Sequence, residues 1–170
     1  MMNRRALLTS GVALAALIVA NKSGEAGQMT TTTDHDIDWA HLSDAEWRKR
    51  LTPEQYIVLR GHGTERPGSS ALLREHRKGT FACAGCDLPL FSSTAKFESG
   101  TGWPSFYQPL LGAVATDTDK SFFMVRTEVH CRRCLGHLGH VFDDGPPPTG
   151  ERYCMNGVAL KFEPDKSTSS

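Results

Sequence analysis

Two C-x-x-C pairs restrict this chain more than any other feature. Cys83 and Cys86 form the first, and Cys131 and Cys134 form the second. A C-x-x-C turn lets two sulfurs converge on one ion, and two such turns at the ends of neighbouring strands supply four thiolates in a tetrahedron. Such a site leaves no position for water, so its role is structural. With 44 residues between Cys86 and Cys131, the ion ties together distant parts of one domain rather than building a compact finger. Thiolates gathered without an ion would repel, which couples folding to metal binding. Two disulfides or a redox C-x-x-C are the other readings of such pairs. Matched pairs with short intervening turns favour one structural Zn2+ per chain.

The 170 residues, less an N-terminal targeting segment, suffice for one domain with a real hydrophobic core. Lysine plus arginine equal aspartate plus glutamate at 19 each, so no long-range field draws the chain to nucleic acid or to an anionic membrane. That balance disfavours a nucleic-acid-binding zinc ribbon and suits a small or neutral substrate. Sixteen glycines, nine prolines and only short apolar runs in the second half indicate strands and turns, hence a mainly β fold. Residues 1–26 read as a signal peptide or N-terminal anchor. Arg4 and Arg5 precede the uncharged stretch Ala6 to Ala20, long enough for a signal core but short for a membrane span. The adjacent arginines resemble a twin-arginine export signal, which would place the chain in a bacterial periplasm, membrane-anchored if the signal is uncleaved. Residues 27–36 follow as a flexible linker, 37–164 as the folded domain and 165–170 as a disordered tail.

Ser43 with Glu46 and Thr52 with Gln55 each fit a capping box, and Pro53 sits at a first helical position. These signals predict short helices near 44–50 and 53–60. Gly61, Gly63, Pro67 and Gly68 then force irregular chain before the run Gly79 to Ala82 enters the first cysteine pair. From Ser121 to His130, Met124, Arg126, Glu128 and His130 alternate with Val125, Thr127 and Val129, predicting a strand that delivers Cys131. A last strand is expected over Val158 to Phe162. Arg132 and Arg133 read as a solvated turn.

The fifth cysteine, Cys154, stands alone in Arg152-Tyr-Cys-Met-Asn156. A thiol with a pKa of about 8.5 needs a cationic or hydrogen-bonding neighbour to become a fast nucleophile at neutral pH. In a strand, Arg152, Cys154 and Asn156 share one face while Tyr153 and Met155 pack on the other. A lone cysteine is also simply a small buried hydrophobe, and Asn156-Gly157 is also a hairpin turn pair. His137 and His140 follow the second cysteine pair directly, in a glycine-rich context that argues for defined placement. A histidine gives or takes a proton near neutral pH, as a reaction that turns an oxygen into water requires. Trp103, in Thr101-Gly-Trp-Pro-Ser-Phe, is a core residue or an apolar wall for a small substrate.

Taken together, these segments resemble the B-type methionine sulfoxide reductases, which reduce the R epimer of methionine sulfoxide. The likeness runs from about Asp44 to Phe162, through Phe97-Glu-Ser-Gly-Thr-Gly-Trp-Pro-Ser-Phe106, both C-x-x-C pairs, Gly136-His-Leu-Gly-His-Val-Phe-Asp-Asp-Gly-Pro146 and Arg152-Tyr-Cys-Met-Asn156. It implies two antiparallel sheets with a four-cysteine zinc site. It also implies Cys154 as nucleophile, His140 and Asn156 around the sulfoxide oxygen, and Trp103 against the methyl group. Arg152 would then favour the thiolate, His137 would assist His140, and Phe142 would complete the apolar wall. Many relatives carry, at the position of Thr101, a cysteine that resolves the oxidised nucleophile. Its absence here implies regeneration by a small thiol or a thioredoxin-like protein. Gly157 departs from a common serine. The implied partners are oxidised proteins or peptides, and the chain is expected to be a monomer active in protein repair under oxidative stress. A zinc-dependent protein-binding module and a general thiol peroxidase are the competing readings.

Overall fold

A computed structural model describes residues 37–120 and 124–166. The expected export signal, the linker and the end of the tail lie outside the described residues. Both capping boxes form. Helix α1 spans Asp44–Arg50 behind Ser43, and α2 spans Pro53–Leu59 behind Thr52. Each cap satisfies backbone donors that a short helix leaves open. The pair buries Trp47, Val58 and Leu59.

The remaining described chain is mainly β. In order come β1 (Gly79–Cys83), β2 (Pro89–Ser92), β3 (Lys96–Phe97), β4 (Ser105–Phe106), β5 (Val114–Asp119), β6 (Arg126–Cys131), β7 (His137–Phe142), β8 (Arg152–Met155) and β9 (Leu160–Pro164). They build two antiparallel sheets, a three-stranded one ordered β2-β1-β9 and a six-stranded one ordered β3-β4-β8-β7-β6-β5. Aromatic rings join them. Phe91 of the small sheet stacks on Phe106 of the large one with centroids 4.3 Å apart, and Phe81 meets Phe106 edge-on at 5.0 Å. All three rings are fully buried, and truncating one such Phe to Ala costs about 3–5 kcal/mol.

Three local expectations need correction. Strand β6 begins at Arg126 rather than near 121, because its ladder partner β5 ends at Asp119, opposite Arg126; residues 121–123 lie outside the described residues. Strand β9 begins at Leu160 rather than Val158, because Gly157–Ala159 form a 3-10 turn. There the Glu65 carboxylate accepts from the backbone N–H groups of Gly157 and Val158, taking them out of any ladder. The two cysteine turns do not end neighbouring strands: β1 and β6 belong to different sheets. The cysteine cluster therefore draws its members from both sheets.

Candidate active site

Strand register brings the chemistry together. Asp117, Glu128, His140 and Cys154 stand opposite one another in a row across β5, β6, β7 and β8. Side chains two apart share a face, so Asp119 and Arg126, then Phe142 and Arg152, occupy that same face. His137 reaches it by an irregularity: Val129 pairs with Gly139 while His130 pairs with His137, leaving Leu138 as an extra residue on β7. This bulge lets histidines three apart point the same way. Their ring centroids lie 5.4 Å apart.

A cavity of about 180 Å3 opens over Cys154, lined also by Thr64, Trp103, Arg126, His140, Phe142 and Asn156. Cys154 is half-buried and uncrosslinked. The Nε2 of His140 lies 2.8 Å from Asp119 Oδ2, which orients the ring. Asn156 is buried; its amide N–H donates to the carbonyl of bulged Leu138 at 3.0 Å, and its Oδ1 accepts from the backbone N–H of Glu65 at 3.0 Å. The Trp103 indole N–H donates to the Glu65 carbonyl at 3.2 Å, so Trp103 is a half-buried wall of the cavity rather than a core residue. Arg152 donates twice to the Asp144 carboxylate, at 2.8 and 2.9 Å, and its guanidinium lies 4.4 Å from the Phe142 ring centre. The carboxylate of Asp144, and beyond it the nearby Cys154 sulfur, raise the Arg152 pKa, so it stays charged. His137 does not line this cavity. Its Nδ1 lies 2.7 Å from Glu128 Oε1 in an adjoining chamber, and burial lowers its pKa.

The four remaining cysteines, all buried, meet in a cluster that does not line this cavity. The Cys83 and Cys134 sulfurs are 3.6 Å apart and those of Cys86 and Cys131 are 3.5 Å apart, with all four within 4.8 Å of one another. Four thiolates at about 2.3 Å from a tetrahedral ion sit about 3.8 Å from each other, so the donor set fits a metal ion. Both turns have one geometry. Asp87 N–H donates to the Cys83 carbonyl at 3.0 Å and Leu135 N–H to the Cys131 carbonyl at 2.9 Å. The residue after each second cysteine, Asp87 or Leu135, adopts a left-handed φ near 58° or 59°. Arg133, expected to be a solvated turn residue, donates to the Cys86 carbonyl at 2.9 Å and so bridges the two turns.

Comparison with known proteins decides the family. Residues 51–164 match the SelR domain. The chain is 57% identical over 123 residues to the peptide methionine sulfoxide reductase MsrB of Agrobacterium fabrum, covering 72% of this chain and 91% of that protein. It is 55% identical over 136 residues to MsrB of Bradyrhizobium diazoefficiens, covering 79% and 96% of the two chains. This chain is a B-type methionine sulfoxide reductase. The same family extends to the chloroplastic peptide methionine sulfoxide reductase B1 of Arabidopsis thaliana, 55% identical over 126 residues, or 74% of this chain and 62% of that one.

In this reductase Thr101 faces Cys154: its Oγ1 lies 3.8 Å from Cys154 Sγ and heads a chain of hydroxyls through Ser99 to Ser105. Gly157 is also explained. A Cβ there would stand 2.0 Å from Ser70 Oγ, so Ser70 fills the space beside it. Sequence reasoning missed Thr64, Glu65 and Asp119 as members of the site. Arg126 and Glu128 were visible as one face of a strand, but nothing in their spacing revealed that His140 and Cys154 stand across from them.

Proposed function

We propose that this chain reduces methionine R-sulfoxide, protein-bound and in free or blocked form, through Cys154. The observation that carries the reading is the row of His140 and Cys154 directly across β7 and β8, beside Asn156 and facing Trp103. The Cys154 thiolate attacks the electrophilic sulfur while a proton passes from His140, with His137 behind it, to the sulfoxide oxygen. The S–O bond breaks as oxygen passes to the thiol, methionine leaves, and Cys154 becomes a sulfenic acid. Two external thiols then return it to the thiol, yielding a disulfide and water. Asn156, fixed at both ends of its amide, holds the substrate oxygen, while Trp103 and Phe142 enclose the methyl group. Arg152 favours the thiolate from a position set by Asp144.

The four-cysteine cluster suits structural Zn2+, which would cross-link the sheets away from the reacting atoms. The external reductant is a small thiol or a thioredoxin-like protein, since Thr101 stands where many relatives place a resolving cysteine. Arg4, Arg5 and the apolar stretch after them support export to a periplasm, where the chain acts as a monomer repairing oxidised proteins. The test is turnover of separated R and S epimers of a blocked methionine sulfoxide with excess dithiothreitol, beside Cys154→Ser. R-only turnover, lost in Cys154→Ser while the bound metal remains, is the expected result. Wild-type turnover in Cys154→Ser would sink the scheme.

A further inference from the structure

A second cavity of about 420 Å3 adjoins the Cys154 pocket and shares Thr64, Arg126 and His140 with it. Three donor atoms converge there. Glu128 Oε1 lies 2.7 Å from Nδ1 of His137 and 3.0 Å from Nδ1 of His62, and the three residues each bring a donor atom within 4.8 Å of the other two. We propose that His62, Glu128 and His137 form a second, exchangeable site for a divalent transition-metal ion, whose occupation arrests the reductase.

Two imidazole nitrogens and one carboxylate oxygen are a donor set for zinc, nickel, iron or copper, with open positions left to water. For bonds of about 2.1 Å, the two oxygen–nitrogen separations correspond to angles at the ion of about 80–90°, the facial arrangement of such a triad. The third separation closes by motion of His62, whose side chain is 64% exposed and which sits just beyond the end of α2 with a left-handed φ of 53°. His137 supplies the rigid half: its side chain is 3% exposed and its Nε2 has no hydrogen-bond partner among the described residues. An ion takes the place of the two imidazole protons that now share the Glu128 oxygen, and each ring then carries its proton on Nε2. The nitrogen and oxygen donors, with one mobile member, hold an ion less firmly than four buried thiolates do, so this site exchanges while the cysteine cluster stays filled. Arrest follows from position. The ion would commit His137, whose ring centroid lies 5.4 Å from that of His140, and so set a double positive charge near His140.

The binding test uses Cys154→Ser protein with its cysteine cluster metal-loaded, so that no free thiol competes. Calorimetric titration with Ni2+ in thiol-free buffer should register one added ion per chain, and His62→Asn should weaken it about tenfold or more. The paramagnetic ion should broaden the imidazole signals of His62 and His137 together. In a single turnover of pre-reduced wild-type enzyme without added thiol, Ni2+ should slow methionine formation, and much less so in His62→Asn, each compared with its own metal-free rate. No uptake at millimolar Ni2+, or uptake indifferent to His62→Asn, overturns the site and leaves a hydrogen-bonded triad; uptake without slowing overturns the arrest. Binding is read in a protein that does not turn over, so its outcome is separate from that of the proposed activity.

Discussion

Replacing Glu65 should weaken the fold and the site at once, because all of its hydrogen-bonding groups are spent on the site. Its N–H donates to Asn156, its carbonyl accepts from Trp103, and its carboxylate accepts from the N–H of Gly157 at 2.6 Å and of Val158 at 3.0 Å. Glu65→Ala keeps the backbone pair and removes both charge-assisted bonds. Each N–H left without a partner costs about 1–3 kcal/mol. Gly157 is buried and bears its cost in full, whereas Val158 is half-buried and regains part of it from water. The expected loss is about 2–4 kcal/mol, within the 5–15 kcal/mol or so of an ordinary domain, so the variant still folds. Glu65→Gln keeps one acceptor oxygen and should lose about half as much. Freed from the Gly157 turn, Asn156 and Trp103 lose their shared anchor, and about 1.4 kcal/mol of misplacement lowers kcat/KM tenfold. Urea unfolding of metal-loaded protein reads the first effect, and steady-state kinetics on the R epimer read the second, as a rise in KM. An unchanged urea midpoint refutes the hydrogen-bond accounting; lost stability with unchanged KM refutes the link to the site.

Thr101→Cys should convert the thiol chemistry. With Thr101 Oγ1 only 3.8 Å from Cys154 Sγ, a small loop shift brings a cysteine there within disulfide reach of about 2 Å. After one equivalent of substrate the variant should lose both thiols to an internal disulfide, while the wild type forms none; mass spectrometry after thiol labelling checks this, and a persistent sulfenic acid in the variant contradicts it. Burial lowers the His137 pKa below its ordinary value. The unfolded chain therefore takes up a proton near pH 6.5 that the folded chain refuses. Stability present above that pH should fall as the medium is acidified through it, and His137→Asn should flatten the decline; urea midpoints at about pH 7.5 and 5.5 measure the difference, and equal slopes would count against the buried assignment.

The helices and the cysteine cluster were legible because their signals are local. A capping box lies within four residues, and a C-x-x-C turn fixes its own two sulfurs. Cys154 and His140 were legible through their surrounding motifs, yet their juxtaposition was not, since strand order and register are long-range facts. The same limit misplaced the start of β6, where alternation continued past the end of its partner, and of β9, where Glu65 intercepts two backbone donors from 92 and 93 residues away. The pair Thr64-Glu65 carries no motif that marks it as part of the site. Arg133 is exposed in a turn as expected, but its bond to the Cys86 carbonyl was hidden because that acceptor lies in the opposite turn.

The bulge at Leu138 explains why two histidines three residues apart serve one face. In a regular strand they would point to opposite faces. The extra residue restores the phase, and its carbonyl accepts from both the backbone and the side-chain N–H of Asn156, at 2.8 and 3.0 Å. The bulge therefore builds two parts of the site together. It holds only if β7 and β8 approach closely at Gly139, where a Cβ would stand 2.1 Å from the Cys154 carbonyl oxygen and 3.1 Å from Met155 Cα. Gly139→Ala must push the strands apart. Overpacking costs about 1–3 kcal/mol when side chains can yield, and here the obstacle is backbone, so the cost should reach or pass the upper end. Since the displaced strand carries Cys154, the proposed nucleophile, kcat/KM should fall at least about a hundredfold, the scale of a misplacement near 1 Å. Metal content should be unchanged, because the cysteine turns lie at the far ends of β1 and β6. Near wild-type turnover in Gly139→Ala would mean that Cys154 and His140 do not depend on this contact, and the site would need another account of its geometry.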